Sequence, residues 1–194
     1  MDNSAQRQRV RVLLALALAV AFAPSRLSAQ TSVPPAVGDR LRDFTLNRID
    51  GKRIHLADLT SQGPVVMLML RGWVGYQCPI CTRQVGDFLA KANDFQAAGT
   101  NIILVYPGEA ALVQSKAEEF ITGKTLPANV HFLIDPDLKV VNQYNLRWNV
   151  PGETAYPSTL VFNRQGVVQF VKISQSHGDR SAAADVLPIV QKLK

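Results

Sequence analysis

Several short stretches of the chain are apolar almost without interruption. They are "PVVMLML" (64–70), "NIILVYP" (101–107), "VHFLIDP" (130–136) and "STLVFN" (158–163). Runs this short and this apolar predict strands buried on both faces. Between them the pattern changes period. In "PICTRQVGDFLAKANDFQAAG" (79–99), Val85, Phe88, Leu89, Ala92 and Phe95 recur at helical spacing and Gly99 follows as a stop. "EAALVQSKAEEFITG" (109–123) reads as a second helix, with Leu112, Ala117 and Phe120 apolar among charges. "DLKVVNQYNL" (137–146) predicts a short helix. "STLVFN" and "VVQFVKI" flank "RQG" as an antiparallel pair. "SAAADVLPIVQKLK" (181–194) closes the chain as a helix that Pro188 is expected to kink or shorten. Upstream, Phe44, Leu46 and Ile54, Leu56 flank Asp50-Gly51 and predict a β-hairpin.

The predicted order is hairpin, β, α, β, α, β, α, β, β, α. Alternation of this kind implies an α/β fold: a central, largely parallel sheet with helices on both faces, made mixed by an antiparallel edge. At 194 residues the chain suits one domain more easily than two.

The first thirty residues follow another pattern. Arg7, Arg9 and Arg11 precede the apolar run "VLLALALAVAFA" (12–23), and Ser28 and Ala29 give a small-residue exit. This is the layout of a cleavable secretory signal peptide, residues 1–29. The run is well short of the roughly 20 residues that span a bilayer, so no stable membrane insertion is expected after cleavage. The expected location is periplasmic or secreted. Residues 30–36 form a proline-rich lead-in, and residues 37–194 the domain. The leader holds four of the 21 basic and one of the 15 acidic residues, which leaves the mature chain at +3. The remaining basic residues are scattered, so nucleic-acid binding gets no support.

The candidate chemistry lies in "LRGWVGYQCPICTRQ" (70–84), which holds both cysteines of the chain, Cys78 and Cys81. A structural disulfide across so small a loop constrains the unfolded chain little. Zinc needs about four ligands, and His55, His131 and His177 fall in separate segments without ligand spacing. Attached haem needs histidine after the second cysteine, where Thr82 stands. No metal or other cofactor is expected.

The pair instead sits where a buried strand ends and a helix begins, and ligands of such sheets collect at the carboxyl ends of strands. Pro79 suits the first helical position, which puts Cys78 at the helix mouth. Unpaired N–H groups and the helix dipole there favour the thiolate. Cys81, three residues on, lies on the same face. The expected roles are Cys78 as the more exposed nucleophile and Cys81 as the shielded resolving residue.

Three segments carry a resemblance: "VGDRLRDFTLNRIDGKRIHLADL", "VVMLMLRGWVGYQCPICTRQ" and "FLIDPDLKVVNQYNL". They resemble the alkyl hydroperoxide reductase / thiol-specific antioxidant (AhpC/TSA) family, the peroxiredoxin branch of the thioredoxin fold. The likeness spans roughly residues 37–193. It implies a thioredoxin-like fold and an antioxidant, thiol-dependent oxidoreductase with a redox-active disulfide. The family surrounds its peroxide-attacking cysteine with P-x-x-x-T-x-x-C. Here the spacing matches Cys78, but Arg71 stands at the proline and Gly75 at the threonine. The family's thiolate-stabilising arginine before the late strand is replaced by Pro157, in "AYPSTLVF". In thioredoxin-like disulfide oxidoreductases that place is a cis-proline packed against Cys-x-x-Cys, so the resemblance implies a cis Tyr156–Pro157 bond.

Two activities therefore compete. In one, the Cys78 thiolate attacks a hydroperoxide and Cys81 closes an intramolecular disulfide. In the other, the same pair exchanges with protein disulfides. Both need an external thiol reductant, thioredoxin-like or a membrane reductase. A secreted binding module with unreactive cysteines is a third reading, disfavoured by a cysteine pair placed at a helix mouth. Candidate substrate-binding residues are Trp73, Tyr76, Tyr156, Pro157 and Arg71, with Arg71 or Arg83 as the cation near the thiolate.

Overall fold

The computed structural model describes residues 33–193; the signal-peptide reading and the proposed cleavage after Ala29 lie outside them. The elements run β1 (Thr45–Arg48), β2 (Arg53–His55), α1 (Leu56–Gln62), β3 (Val65–Met69), α2 (Pro79–Ala90), α3 (Ala92–Ala97) and β4 (Asn101–Gly108). They continue α4 (Ala110–Ile121), β5 (Val130–Pro136), α5 (Lys139–Gln143), β6 (Ser158–Phe162), β7 (Val168–Ile173) and α6 (Ala183–Gln191). The strands form one sheet in the order β2-β1-β5-β4-β3-β6-β7.

Only β3, β4 and β5 run parallel; β1 is antiparallel to both β2 and β5, and β6 to both β3 and β7. The sheet is thus mixed, and less parallel than the alternating pattern predicts. Its parallel part is confined to the strands joined through helices, because a parallel pair needs a crossover.

The continuous apolar run of β3 has a simple cause. Side chains alternate between faces along a strand. Val66 and Leu68 pack with α2, α3, α4 and α6 residues on one face. Val65, Met67 and Met69 pack with α1, α5 and β1 residues on the other. All five are fully buried.

The helices depart from the pattern in three places. Leu56 begins α1 rather than ending a strand, and α1 is too short for its period to be read. The helix predicted over 79–99 breaks at Lys91, whose carbonyl accepts from both Asp94 and Phe95. The break still lets Phe88 and Phe95 stack, 5.6 Å between ring centres. Pro188 does not end α6. It lies on the exposed side, as does Ala184 four residues before it, whose freed carbonyl can face water.

Candidate active site

β3 ends at Met69 and α2 begins at Pro79, so Cys78 is the N-cap of α2. Residues 70–77 carry the chain from one to the other across the end of β4. Gly72 is required there. Its φ is +71°, and a Cβ would lie 1.8 Å from the Pro107 carbonyl oxygen. Trp73 N–H donates to that same oxygen at 3.2 Å. Gln77, next to Cys78, accepts from the Tyr106 hydroxyl at 2.8 Å and donates to the Lys116 carbonyl at 2.9 Å. The approach to Cys78 is thereby fixed to both β4 and α4.

Both cysteines are reduced and buried, Cys78 at 4% and Cys81 at 1% exposure. Cys81 is the deeper of the two, the order expected, but Cys78 is itself buried. Cys81 N–H donates to Cys78 Sγ at 3.4 Å. The hydrogen bond from the Cys81 side chain lowers the Cys78 pKa to about 5. Burial opposes this, while the Cys81 and Ile80 N–H groups and Arg180 assist. Cys81 moves the other way. The bond it gives to Cys78 and its burial hold its thiol well above the ordinary range, and only Arg180 and the Arg71 N–H pull it down. The two sulfurs share one proton, held on Cys81.

Arg71 is adjacent to this pair in the chain's path but its guanidinium is engaged elsewhere. It is 3% exposed and pairs with Glu153, donating to Oε1 at 2.7 Å and also to Oε2. It donates further to the Tyr76 hydroxyl at 2.6 Å and the Gly152 carbonyl at 2.9 Å. Thr154 Oγ1 donates to the Arg71 carbonyl. Desolvation would lower the Arg71 pKa, but Glu153 and Tyr76 outweigh it and raise it. Arg71 therefore clamps the loop before β6 onto the cysteine loop and is not a free cation for Cys78.

The cation beside the sulfurs is Arg180, from the loop between β7 and α6. Its two terminal nitrogens lie 3.7 and 3.8 Å from Cys81 Sγ. Nothing local in "SHGDRSA" marks it. Glu153 and Gln84, also unanticipated, complete the surroundings: Glu153 holds Arg71, and Gln84 Oε1 accepts from Arg180 at 3.2 Å. Arg83 is exposed and lines a groove of about 260 Å³ together with Arg180.

Of the other candidates, half-exposed Tyr76 lies under Arg71, 4.9 Å from its guanidinium carbon. Trp73 carries Lys116 Nζ over its ring at 4.2 Å. With Val74, Gly108, Asp137 and Glu153 it lines a cavity of about 360 Å³ at the carboxyl ends of β4 and β5. Tyr156 stacks on Trp148, ring centres 5.0 Å apart.

Pro157 corrects an expectation. The described chain contains no cis peptide bond, so Pro157 is trans. It is buried immediately before β6, a legitimate start for a strand. The backbone around it is already paired: Tyr156 N–H donates to Leu146 O at 2.8 Å, and Pro157 O accepts from Ser174 N–H at 2.9 Å. The three histidines are dispersed. His55 meets Thr45, His131 meets Asn101, and His177 meets Glu153 at 2.9 Å.

Comparison with known proteins gives the family and the fold. The model of the AhpC/TSA family matches residues 37–171. A putative peroxiredoxin of Mycobacterium tuberculosis is 29% identical over 146 residues, 73% of this chain and 79% of the relative. The thiol-disulfide oxidoreductase ResA of Geobacillus thermodenitrificans is 30% identical over 135 residues, 69% of this chain and 67% of the relative. Among solved structures, the peroxidoxin BcpB from Mycobacterium tuberculosis superposes with a TM-score of 0.67 at 21% identity, over 81% of this chain and 97% of that one.

Proposed function

The chain belongs to the AhpC/TSA family and is a thiol-dependent oxidoreductase of thioredoxin fold, and on that premise we propose that it is a dithiol peroxidase acting outside the cytoplasm. The Cys78 thiolate attacks the near oxygen of a hydroperoxide. An S–O bond forms, the O–O bond breaks, and the leaving oxygen departs as water or an alcohol after taking a proton. Cys81 then attacks the Cys78 sulfenic acid, forms the disulfide and releases water. An external thiol returns both sulfurs to the reduced state.

The observation that carries this reading over protein disulfide exchange is the backbone at Pro157. A peptide substrate laid against the cysteines needs free N–H and C=O groups beside them. Here Tyr156 N–H and Pro157 O are both committed within the domain. A small hydroperoxide needs no such edge. The reaction is expected to be slow for a peroxidase, because Gly75 supplies no hydroxyl and Arg71 is paired with Glu153. A preorganised donor is worth about 2.7–4 kcal/mol, so missing one costs at least about a hundredfold.

The second reading, exchange with protein disulfides, is favoured by the Cys-Pro-Ile-Cys spacing and by the likeness to ResA. Purified reduced protein mixed separately with hydrogen peroxide and with an insulin-type disulfide decides between them. Faster consumption of peroxide supports the first reading, and faster reduction of insulin the second. Export rests on the basic start, short apolar run and small-residue exit of residues 1–29. Intact mass of the protein from the cell envelope, starting near Gln30, tests it; a species retaining residues 1–29 would contradict it.

A further inference from the structure

Arg180 reaches the cysteines from 99 residues away in sequence, yet its position is tightly specified. Its Nε donates to the His177 carbonyl at 2.9 Å, and Nη1 to Gln84 Oε1 at 3.2 Å. Gln84 Nε2 in turn donates to the Ser181 carbonyl at 3.1 Å. Asp87, one turn further along α2, accepts from the Ala183 N–H at the start of α6 at 2.6 Å. These bonds hold the 177–183 segment against α2 with the guanidinium directed at Cys81 Sγ. The carboxylates near Arg180 are engaged elsewhere: Asp179 with Lys172 at 2.6 Å, and Glu153 with Arg71 and His177. Asp87 and Asp185 accept the Ala183 and Ala182 N–H groups, and none of these carboxylates pairs with the Arg180 guanidinium.

We propose that Arg180 is the positioning residue for the second half of the reaction, in which it holds Cys81 as a thiolate while that sulfur attacks the bond made at Cys78. This rests on the dithiol reading, whichever oxidant Cys78 meets. Cys81 must lose its proton to attack, and it lies in an apolar, 1% exposed site that disfavours the charge. Arg180 offsets that cost at the sulfur. It also lines the open groove of about 260 Å³ with Ile80, Arg83 and Ser181. The other charged or titratable groups facing Cys81 are Cys78 at the helix mouth and Tyr106 from β4, which stays protonated through burial.

A neutral dipyridyl disulfide separates the two halves. Cys78 thiolate attacks one probe sulfur, forms a mixed disulfide and releases the first coloured pyridinethione. Cys81 thiolate then attacks the Cys78 sulfur, closes the intramolecular disulfide and releases the second. Each pyridinethiolate takes up a proton, and the Cys81 proton goes to solvent. In Arg180→Met the first release is expected to stay within about threefold of wild type. The second should slow about tenfold or more near pH 7 and recover as pH rises, the effect of raising the Cys81 pKa by about one unit. Arg180→Lys should regain most of the second rate. A second release that is unchanged, or is slowed equally at every pH without rescue by lysine, overturns the proposal. If the first release is missing in wild type, the dithiol reading fails, and the proposal is then decided without it. With Cys78→Ser, the ultraviolet absorbance of the Cys81 thiolate is titrated with and without Arg180→Met. A midpoint raised by about one unit supports the role of Arg180, and an unmoved midpoint overturns it.

Discussion

The two ends of the sheet bury polar groups in opposite ways. At the carboxyl ends of β3 and β4, the side chains around the cysteines form groups of paired charges and hydrogen bonds. Glu153 joins Arg71 and His177, Arg71 also donates to the Tyr76 hydroxyl, and Tyr106 is tied to Gln77. At the opposite end, Asn129 and His131 are more than nine-tenths buried, as Arg71 is, but Asn129 Oδ1 and His131 Nδ1 have no partner. A set of fully partnered groups can hold two sulfurs and their shared proton in one arrangement. Among the described residues the opposite end holds no cysteine, and its unpaired atoms weaken the fold. Buried polarity alone is thus a poor guide to the site; pairing with directed charge is a better one. Ser181 Oγ, unpartnered near Cys81, is the exception at the reactive end.

The largest expected effect breaks this comparison on the activity side. Cys78→Ser should abolish peroxide consumption, a loss of at least about a thousandfold, with the fold intact. Cys81→Ser should consume about one peroxide per chain and stop as the sulfenic acid or a mixed disulfide. In wild type, alkylation of Cys78 should be nearly constant from pH 8 to 6. It should fall as pH drops through about 5, because the thiolate is the reactive form and exists above the lowered pKa. Peptide mapping that finds Cys81 labelled first would reverse the roles.

The next effect falls on stability at the same end. Glu153→Ala leaves the 3% exposed Arg71 without its counter-charge and should cost about 3 kcal/mol in denaturant unfolding. An effect within about 0.5 kcal/mol, the range of ordinary surface changes, would show that the clamp is solvated.

The opposite end should respond to pH. Burial, helped by Arg48 and Lys52, lowers the His131 pKa to about 4, below its unfolded value near 6.5. The unfolded chain therefore takes up the proton first. Stability is full above pH 6.5 and is lost as pH falls toward 4, by about 2 kcal/mol at pH 4.5 after allowing for residual solvation. His131→Gln should flatten that slope and leave the peroxide rate unchanged; a slope that persists would place the acid sensitivity elsewhere.

Much of the reactive end was legible because its signals are local. The β3 run, Pro79 and the three-residue spacing put Cys78 at a helix mouth from the sequence alone. Arg180 and Glu153 were not legible. Their partners lie 99 and 82 residues away, and only the packing of the 177–183 segment on α2 and of the loop before β6 on Arg71 brings them in. Arg71 itself was found, but its guanidinium is turned to Glu153 and not to the thiolate. The cis bond at Pro157 was implied by likeness to disulfide oxidoreductases, and it failed here because the flanking backbone pairs within the domain in the trans form. α1 is followed by Gly63-Pro64 but is too short to show a helical period, and the break at Lys91 has neither glycine nor proline to announce it.

The smallest expected effect concerns Gly75, where the family's threonine is missing. Restoring a hydroxyl looks from sequence like a gain. In the structure Gly75 has φ +105°, in open space, so a threonine meets no clash but must adopt a backbone conformation that β-branched residues avoid. Gly75→Thr should cost about 1 kcal/mol of stability and bring no increase in the peroxide rate. A faster rate with unchanged stability would show that the turn can relax.

The most direct test of the central claim is the intact mass of reduced mature protein after one equivalent of hydrogen peroxide, with Cys81→Ser in parallel. Wild type is expected to lose two hydrogen atoms as Cys78 and Cys81 join, while Cys81→Ser gains one oxygen at Cys78. Wild type that keeps both thiols under peroxide, yet closes the same disulfide rapidly with an oxidised protein substrate, would contradict it.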